Sequence, residues 1–253
     1  MSIGWVEREF DRRASTYDQS SFHVSLAEAA ARFAAPTVKD AVLDVATGTG
    51  LVLRSLQTLP AAHLTGIDVS SAMLDVARSS LPGARFLQAS ASRLPFGPGE
   101  FDVITCVSAM PYLDDPVEAV REWQRVLVRD GRIVISVFTP DGLTGPTLLR
   151  RAARQHGLMV DDPNESTSTV DAWREIAAKV GMRVVRTESW TLALPSATVE
   201  SLLKPQYPFG VRNDLRDATS DDLALVRVSL GELIATTDTW EASVLLLELR
   251  EDG

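Results

Sequence analysis

Residues Val42 to Gly50 read Val-Leu-Asp-Val-Ala-Thr-Gly-Thr-Gly. An apolar, β-branched run stops abruptly at two glycines spaced one residue apart. Such a run predicts a buried strand that turns sharply into a helix, with bare main chain at the turn. Ligands of open α/β sheets bind outside the carboxyl end of a strand. Glycine lets them approach the backbone where a Cβ would collide. Asp44 lies inside the strand. A carboxylate in an apolar strand needs partners, so it either orients the amides of the turn or faces a cationic ligand.

The glycine pair does not match the common phosphate cradles. A dinucleotide fingerprint wants a third glycine, where the helix closes onto the strand, but Gly50 is followed by Leu51, Val52 and Leu53. No Gly-Lys-Ser/Thr follows, which excludes a Walker loop. The next apolar run, His63 to Asp68, ends in an acid about 20 residues after the glycines, where ribose-binding carboxylates stand in such sheets. A carboxylate there accepts two hydroxyl hydrogen bonds and so recognises a cis-diol. Ser70 or Ser71 supplies the cap of the following helix, which leaves Asp68 free of that duty.

Two further segments complete an ordered pattern. They are Leu94-Pro-Phe-Gly-Pro-Gly-Glu-Phe-Asp-Val-Ile104 and Leu127-Val-Arg-Asp-Gly-Arg-Ile-Val-Ile135. Together with Val42–Gly50 and Gly66–Leu74, they resemble the class I S-adenosylmethionine-dependent methyltransferases. The nearest type is the small-molecule enzymes of ubiquinone and menaquinone biosynthesis. The resemblance covers about residues 40 to 137, and Phe10–Asp18 is similar to the family's entry segment. It implies a Rossmann-like α/β fold. This would be a seven-stranded, mostly parallel sheet with helices on both faces, one antiparallel strand near the C-terminus, a helical N-terminal cap and lid insertions. It also implies S-adenosyl-L-methionine as cofactor and S-adenosylhomocysteine as product. Asp44, Ala46, Thr47, Gly48 and Gly50 would hold the amino-acid end and Asp68 the ribose. Val69 and Met73 would cover the adenine, and Ser90, Ala91 and Ser92 would meet its edge. Cys106 and Val107 would lie under the methionine moiety and Tyr17 would close over it. Two departures stand out. Gln88-Ala89-Ser90-Ala91 puts serine where many relatives carry the aspartate that accepts from the adenine amine. Ala109-Met110-Pro111-Tyr112 stands where quinone-type relatives often carry histidines, which weakens the case for a quinone acceptor.

The remainder of the chain is consistent with this organisation. Residues 1–38 predict a helical cap ended by Pro36, and residues 39–253 a cofactor-binding α/β domain with insertions at about 139–168 and 195–238. Strands are expected at 41–46, 64–68, 85–89, 102–107 and 132–138, with two more at 183–194 and 240–250. Helices follow at 51–59, 72–80 and 116–128. Beyond Phe138 further helices are expected at 148–156, 169–180, 197–203 and 221–235. A 45 % apolar content over 253 residues suffices for one sizeable core. The net charge of −9 argues against nucleic acid as partner. No apolar run is long enough to span a bilayer, and the first residues do not read as a secretory signal. A lone cysteine and three scattered histidines argue for a reducing cytoplasm and against a metal site. A small-molecule partner is expected, and a homodimer is left open.

Transfer from a sulfonium rests mainly on holding nucleophile, methyl and sulfur in line, worth about 7–11 kcal/mol. A phenol or carbon acid also needs a proton acceptor. His23 is the first candidate base, because it follows Tyr17 in the segment expected over the site. Tyr112, just past the fourth strand, is a candidate for catalysis and substrate contact, and His156, Tyr207 and Phe209 are candidates for the substrate wall. The expected activity is methyl transfer to a small, largely apolar metabolite of secondary metabolism. A cofactor-retaining cyclase or pericyclase and a non-catalytic accessory subunit are the rivals.

Overall fold

Five short runs rich in Val, Ile, Leu and Phe form the first strands. They are β1 (Ala41–Val45), β2 (His63–Asp68), β3 (Arg85–Gln88), β4 (Phe101–Cys106) and the start of β5 (Leu127–Leu143). β6 (Met182–Ala193) and β7 (Glu241–Glu251) complete a single sheet of order β3-β2-β1-β4-β5-β7-β6. The computed structural model describes residues 3–57, 63–204, 215 and 218–252. β3, β2, β1, β4 and β5 pair in parallel. The mixed sheet is mostly parallel, with antiparallel pairing among its C-terminal strands and helices on its flanks. Strand order reverses direction around β1, which neighbours both β2 and β4. That is the switch point where ligands of doubly wound sheets bind.

The chain divides into two units. The first comprises residues 1–137, 169–190 and 245–253. Its N-terminal part holds α1 (Ile3–Arg13), a 3₁₀ turn (Tyr17–Gln19) and α2 (Ser21–Ala34). Ser20 caps α2 by accepting from the His23 amide, and Ala35 ends it in a left-handed conformation just before Pro36. α3 (Leu51–Leu56), α4 (Ser71–Ser80), α5 (Pro116–Val126) and α7 (Val170–Ala178) also belong to this unit. Asp115 caps α5 by accepting from the Val117 and Glu118 amides, and Pro116 occupies the first helical position, where no amide is needed. Ala119, Val120, Trp123 and Val126 make one buried stripe of that helix. Trp123 is fully buried and donates from Nε1 to the Ala91 carbonyl at 2.8 Å, which ties α5 to the turn after β3.

β5 is longer than the sequence predicts. Asp130-Gly131 reads as a break, yet the strand already begins at Leu127. Leu127 pairs with Phe101 and Arg132 with Val103, so the strand absorbs its extra residues in an irregularity with Asp130 at φ +69°.

The second unit comprises residues 138–168 and 191–244. It holds α6 (Thr144–Gln155), α8 (Val199–Leu202) and α9 (Ser220–Ala235). Leu148, Leu149, Ala152, Leu202, Val226, Leu230 and Trp240 form its own apolar cluster. Thr219 and Asp222 cap α9 reciprocally. No helix among the described residues is long and apolar enough to cross a membrane.

Candidate active site

The carboxyl ends of β1, β2, β3 and β4 converge on an open cleft of about 810 Å³. Ala46 and Gly48 follow β1, Asp68 and Val69 end β2, and Ala89 to Ser92 follow β3. Val107, Ser108, Ala109, Tyr112, Leu113 and Asp114 follow β4, and Val6, Phe10 and Tyr17 come from the N-terminal segment. A second cavity of about 350 Å³ shares Tyr17, Ala46, Gly48, Val107 and Ser108 with the first. It adds His23, Ala27, Asp44, Thr47, Leu51 and Val52.

The turn after β1 shows why glycine is needed there. Ala46 and Gly48 both adopt φ +55°. A Cβ built on Gly48 meets no protein atom within 4 Å, so the residue presents bare main chain to open space. Gly50 adopts φ +81°, and a Cβ there would lie 3.3 Å from that of Ala77 in α4. Gly66, inside β2, is more constrained still. An added Cβ would lie 2.8 Å from Phe86 and 2.8 Å from Thr47. Gly66 thus lets Phe86 and Thr47 close over β2.

The two buried acids divide their tasks. Asp44 accepts from the hydroxyls of Thr47 (2.7 Å) and Thr105 (2.6 Å). Its partners are side chains, so it does not orient the amides of the turn. Burial pushes its pKa up to about 6 against those two hydrogen bonds. Asp68 takes the role of amide acceptor instead. One oxygen accepts from the Gly48 amide (2.8 Å) and the other from the Ser70 amide (2.9 Å). Each keeps a lone pair for a ligand hydroxyl. Burial raises the Asp68 pKa, opposed by the amides of Ser70, Gly48 and Val69.

The N-terminal segment is fastened to these same turns. Asp18 accepts from the Thr49 hydroxyl at 2.5 Å and from Arg54 at 2.6 Å. Asp11 accepts from the Ser70 hydroxyl at 2.6 Å and the Ala72 amide at 3.2 Å. Its aromatic residues then wall the cleft. Phe10 meets Tyr112 edge to face with centroids 5.1 Å apart, and Tyr17 stacks on His23 at 4.4 Å. The Arg13 guanidinium lies 5.2 Å from the Phe10 ring centre and 5.4 Å from that of Tyr17.

Several expected residues stand elsewhere. Met73 and Cys106 are fully buried and line neither cavity, because Met73 faces the core from α4 and Cys106 is the last inward residue of β4. Gly50 lies behind the turn, against α4. His23 does line the smaller cavity. Burial and then the Arg13 charge push its pKa down to about 3. His156 belongs to the second unit, where its Nε2 pairs with the Ser229 hydroxyl at 2.8 Å. Tyr207 and Phe209 lie outside the described residues. Sequence reasoning missed Val6, Ser108, Thr105 and Asp18. Only Thr105, a polar residue inside the apolar run Val103–Cys106, carries a local sign of its role.

Comparison with known proteins shows what this arrangement is similar to. Residues 43–135 match the methyltransferase domain model. Over these residues the chain is similar to methyltransferases. The domain is 42 % identical to the demethylmenaquinone methyltransferase of Thermotoga maritima over 100 residues, which are 39 % of this chain and 44 % of that relative. The enzyme of the same name from Clavibacter sepedonicus is 34 % identical over 145 residues, 54 % of this chain and 59 % of the relative. The chain thus spans about half the length of the curated relatives it matches. A Bacillus halodurans structure assigned as a methyltransferase superposes with a TM-score of 0.63 at 17 % identity, covering 90 % of this chain and 100 % of that one. An S-adenosylmethionine-dependent methyltransferase of Aquifex aeolicus gives 0.55 at 18 % identity, over 70 % of this chain and 90 % of that one. At these identities the two structures show the fold alone.

Proposed function

We propose that this chain transfers the methyl group of S-adenosylmethionine to an oxygen, nitrogen or carbon atom of a small, largely apolar metabolite, in secondary metabolism. The observation that carries this reading is Asp68. Its two oxygens accept from the backbone amides of Gly48, in the turn after β1, and of Ser70, after β2, and the residue lines the cleft. That is a rigid, buried acceptor pair suited to the two hydroxyls of a ribose.

The other residues fit the same cofactor. Val69, Ala89 and Ser90 to Ser92 give the cleft an apolar slot with polar edges for a purine. Asp44 lines the smaller cavity beside Thr47 and Gly48, where a carboxylate suits the ammonium of an amino acid. When bound, the sulfonium supplies an activated methyl group. The chain's task is then to align the acceptor and keep water out. Phe10, Tyr17 and Tyr112 form an aromatic wall that excludes water and suits a flat, apolar acceptor. Tyr112 also carries a hydroxyl that can hold such an acceptor by a hydrogen bond. The neutral, stacked His23 is assigned to shaping the wall. The segment Ala109-Met110-Pro111-Tyr112 after β4, without histidine, supports an acceptor other than a quinone.

The test has two steps. Mass spectrometry of the purified protein, with and without added S-adenosylhomocysteine, should show the nucleoside retained. Incubation with S-adenosylmethionine and a panel of phenols, amines and carbon acids should then give a product heavier by one methyl group. Retention of the nucleoside with a rearranged product of unchanged mass would favour a cyclase. No retention at all would refute the proposal.

A further inference from the structure

The acid that ends β2 is held by a residue that is itself held from a distant part of the chain. Ser70 donates its amide to one oxygen of Asp68 at 2.9 Å. Its hydroxyl is fully buried and bonds in both directions. It accepts from the Met73 amide at 3.1 Å, which caps α4, and donates its proton to Asp11 Oδ1 at 2.6 Å. The same Asp11 oxygen accepts from the Ala72 amide at 3.2 Å. Asp11 stands in α1, 59 residues before Ser70.

A helix start needs only its own serine as cap. A second carboxylate at this place works against the ligand site by its charge, because the repulsion between Asp11 and Asp68 adds to the burial that raises the Asp68 pKa. What Asp11 contributes is geometry. With the hydroxyl anchored at both ends, Ser70 is fixed, and its amide is fixed on the Asp68 oxygen. Without Asp11 the buried hydroxyl proton loses its acceptor, and Ser70 must turn to find another. The other donor to Asp68, the Gly48 amide, precedes Thr49, whose hydroxyl is held by Asp18 of the same N-terminal segment.

We propose that Asp11 is a positioning residue for ribose recognition: by holding the Ser70 hydroxyl it sets the Asp68 carboxylate for the two ribose hydroxyls. The inference rests on the cofactor reading above. Preference for an intact ribose then depends on a side chain of the N-terminal helix that makes no contact with the sugar.

The experiment is calorimetric titration of the full chain with S-adenosylhomocysteine and with its 2′,3′-dideoxy analogue, which lacks the hydroxyls assigned to Asp68. Wild type, Asp11→Ala, Asp11→Asn and Ser70→Gly are compared, with thermal midpoints recorded beside the affinities. Asp11→Ala should bind S-adenosylhomocysteine about tenfold more weakly and the dideoxy analogue within about twofold of wild type. Asp11→Asn keeps an oxygen for the Ser70 hydroxyl and loses the charge, so it should restore most of the ribose preference. Ser70→Gly removes the hydroxyl at a position where glycine still caps a helix, so it tests the route even if Asp11→Ala does not fold. It should show the same ribose-selective loss, and adding Asp11→Ala to it should weaken binding no further. Equal weakening of both ligands in Asp11→Ala and Ser70→Gly, or no change in either, would overturn the inference and leave the cofactor reading intact. A wild-type protein that did not distinguish the two ligands would overturn both.

Discussion

Asp68 is the residue on which most depends, because its carboxylate both shapes the glycine turn and faces the cleft. Asp68→Ala removes two charge-assisted acceptors and frees the Gly48 amide. Calorimetry should show S-adenosylhomocysteine bound about 100-fold more weakly. An unchanged affinity would remove Asp68 from the site. Asp44 makes the same binding depend on pH. Its pKa is raised to about 6, so a proton competes with the ligand's ammonium at and below that pH. Affinity should be flat at alkaline pH and fall by up to about tenfold per unit below about pH 6. In Asp44→Asn it should be weaker and level across the range. For folding the sign reverses. A proton on Asp44 favours the fold, a contribution complete below the ordinary value of 3.8 and lost as pH rises through about 6. Ser90 offers a gain-of-affinity test. Its hydroxyl accepts from the Ser92 amide at 3.3 Å, and an aspartate can keep that bond. Ser90→Asp should therefore tighten cofactor binding about fivefold by adding an acceptor for the adenine amine. Looser binding would show that the purine lies elsewhere.

At the scale of elements, the turns are built from packing that only the assembled sheet reveals. Gly66 pairs in register with Asp44 on one side and Phe86 on the other. Gly66→Ala would drive a methyl group into Phe86 and Thr47. Denaturant unfolding should show about 1–3 kcal/mol lost, together with weaker cofactor binding through the displaced Thr47. Full stability in this variant would mean the strands can spread without cost. The glycine turn, the acid that ends β2 and the alternation of strands and helices were legible in the sequence, because turn chemistry and apolar runs are local signals. Thr105 as the partner of Asp44 depends on β4 lying beside β1, and Ser108 on the backbone twist after β4. Neither is encoded in spacing along the chain. Met73 and Cys106 line neither cavity. Their apolar character is equally compatible with a cavity wall and with the core, and burial put them in the core. Asp130-Gly131 falls in the irregularity between the Leu127–Phe101 and Arg132–Val103 pairs, so the strand begins five residues earlier than the apolar run predicts.

For the whole molecule, the sheet brings four strand ends together at the switch point around β1, and α1 with its following turn is pinned over them by Asp11 and Asp18. The net charge of −9 suits a small metabolite better than a polyanion. The acceptor was the least legible part. The comparisons match the cofactor half, while Tyr207 and Phe209 lie outside the described residues and His156 lies in the second unit. A crystal structure of the full chain grown with S-adenosylhomocysteine tests the central claim most directly. The account predicts the ribose hydroxyls on Asp68, the purine beside Val69 and Ser90, and the amino-acid end in the cavity of Asp44 and Thr47. Density for the nucleoside anywhere else, or an empty cleft at saturating concentration, would contradict it.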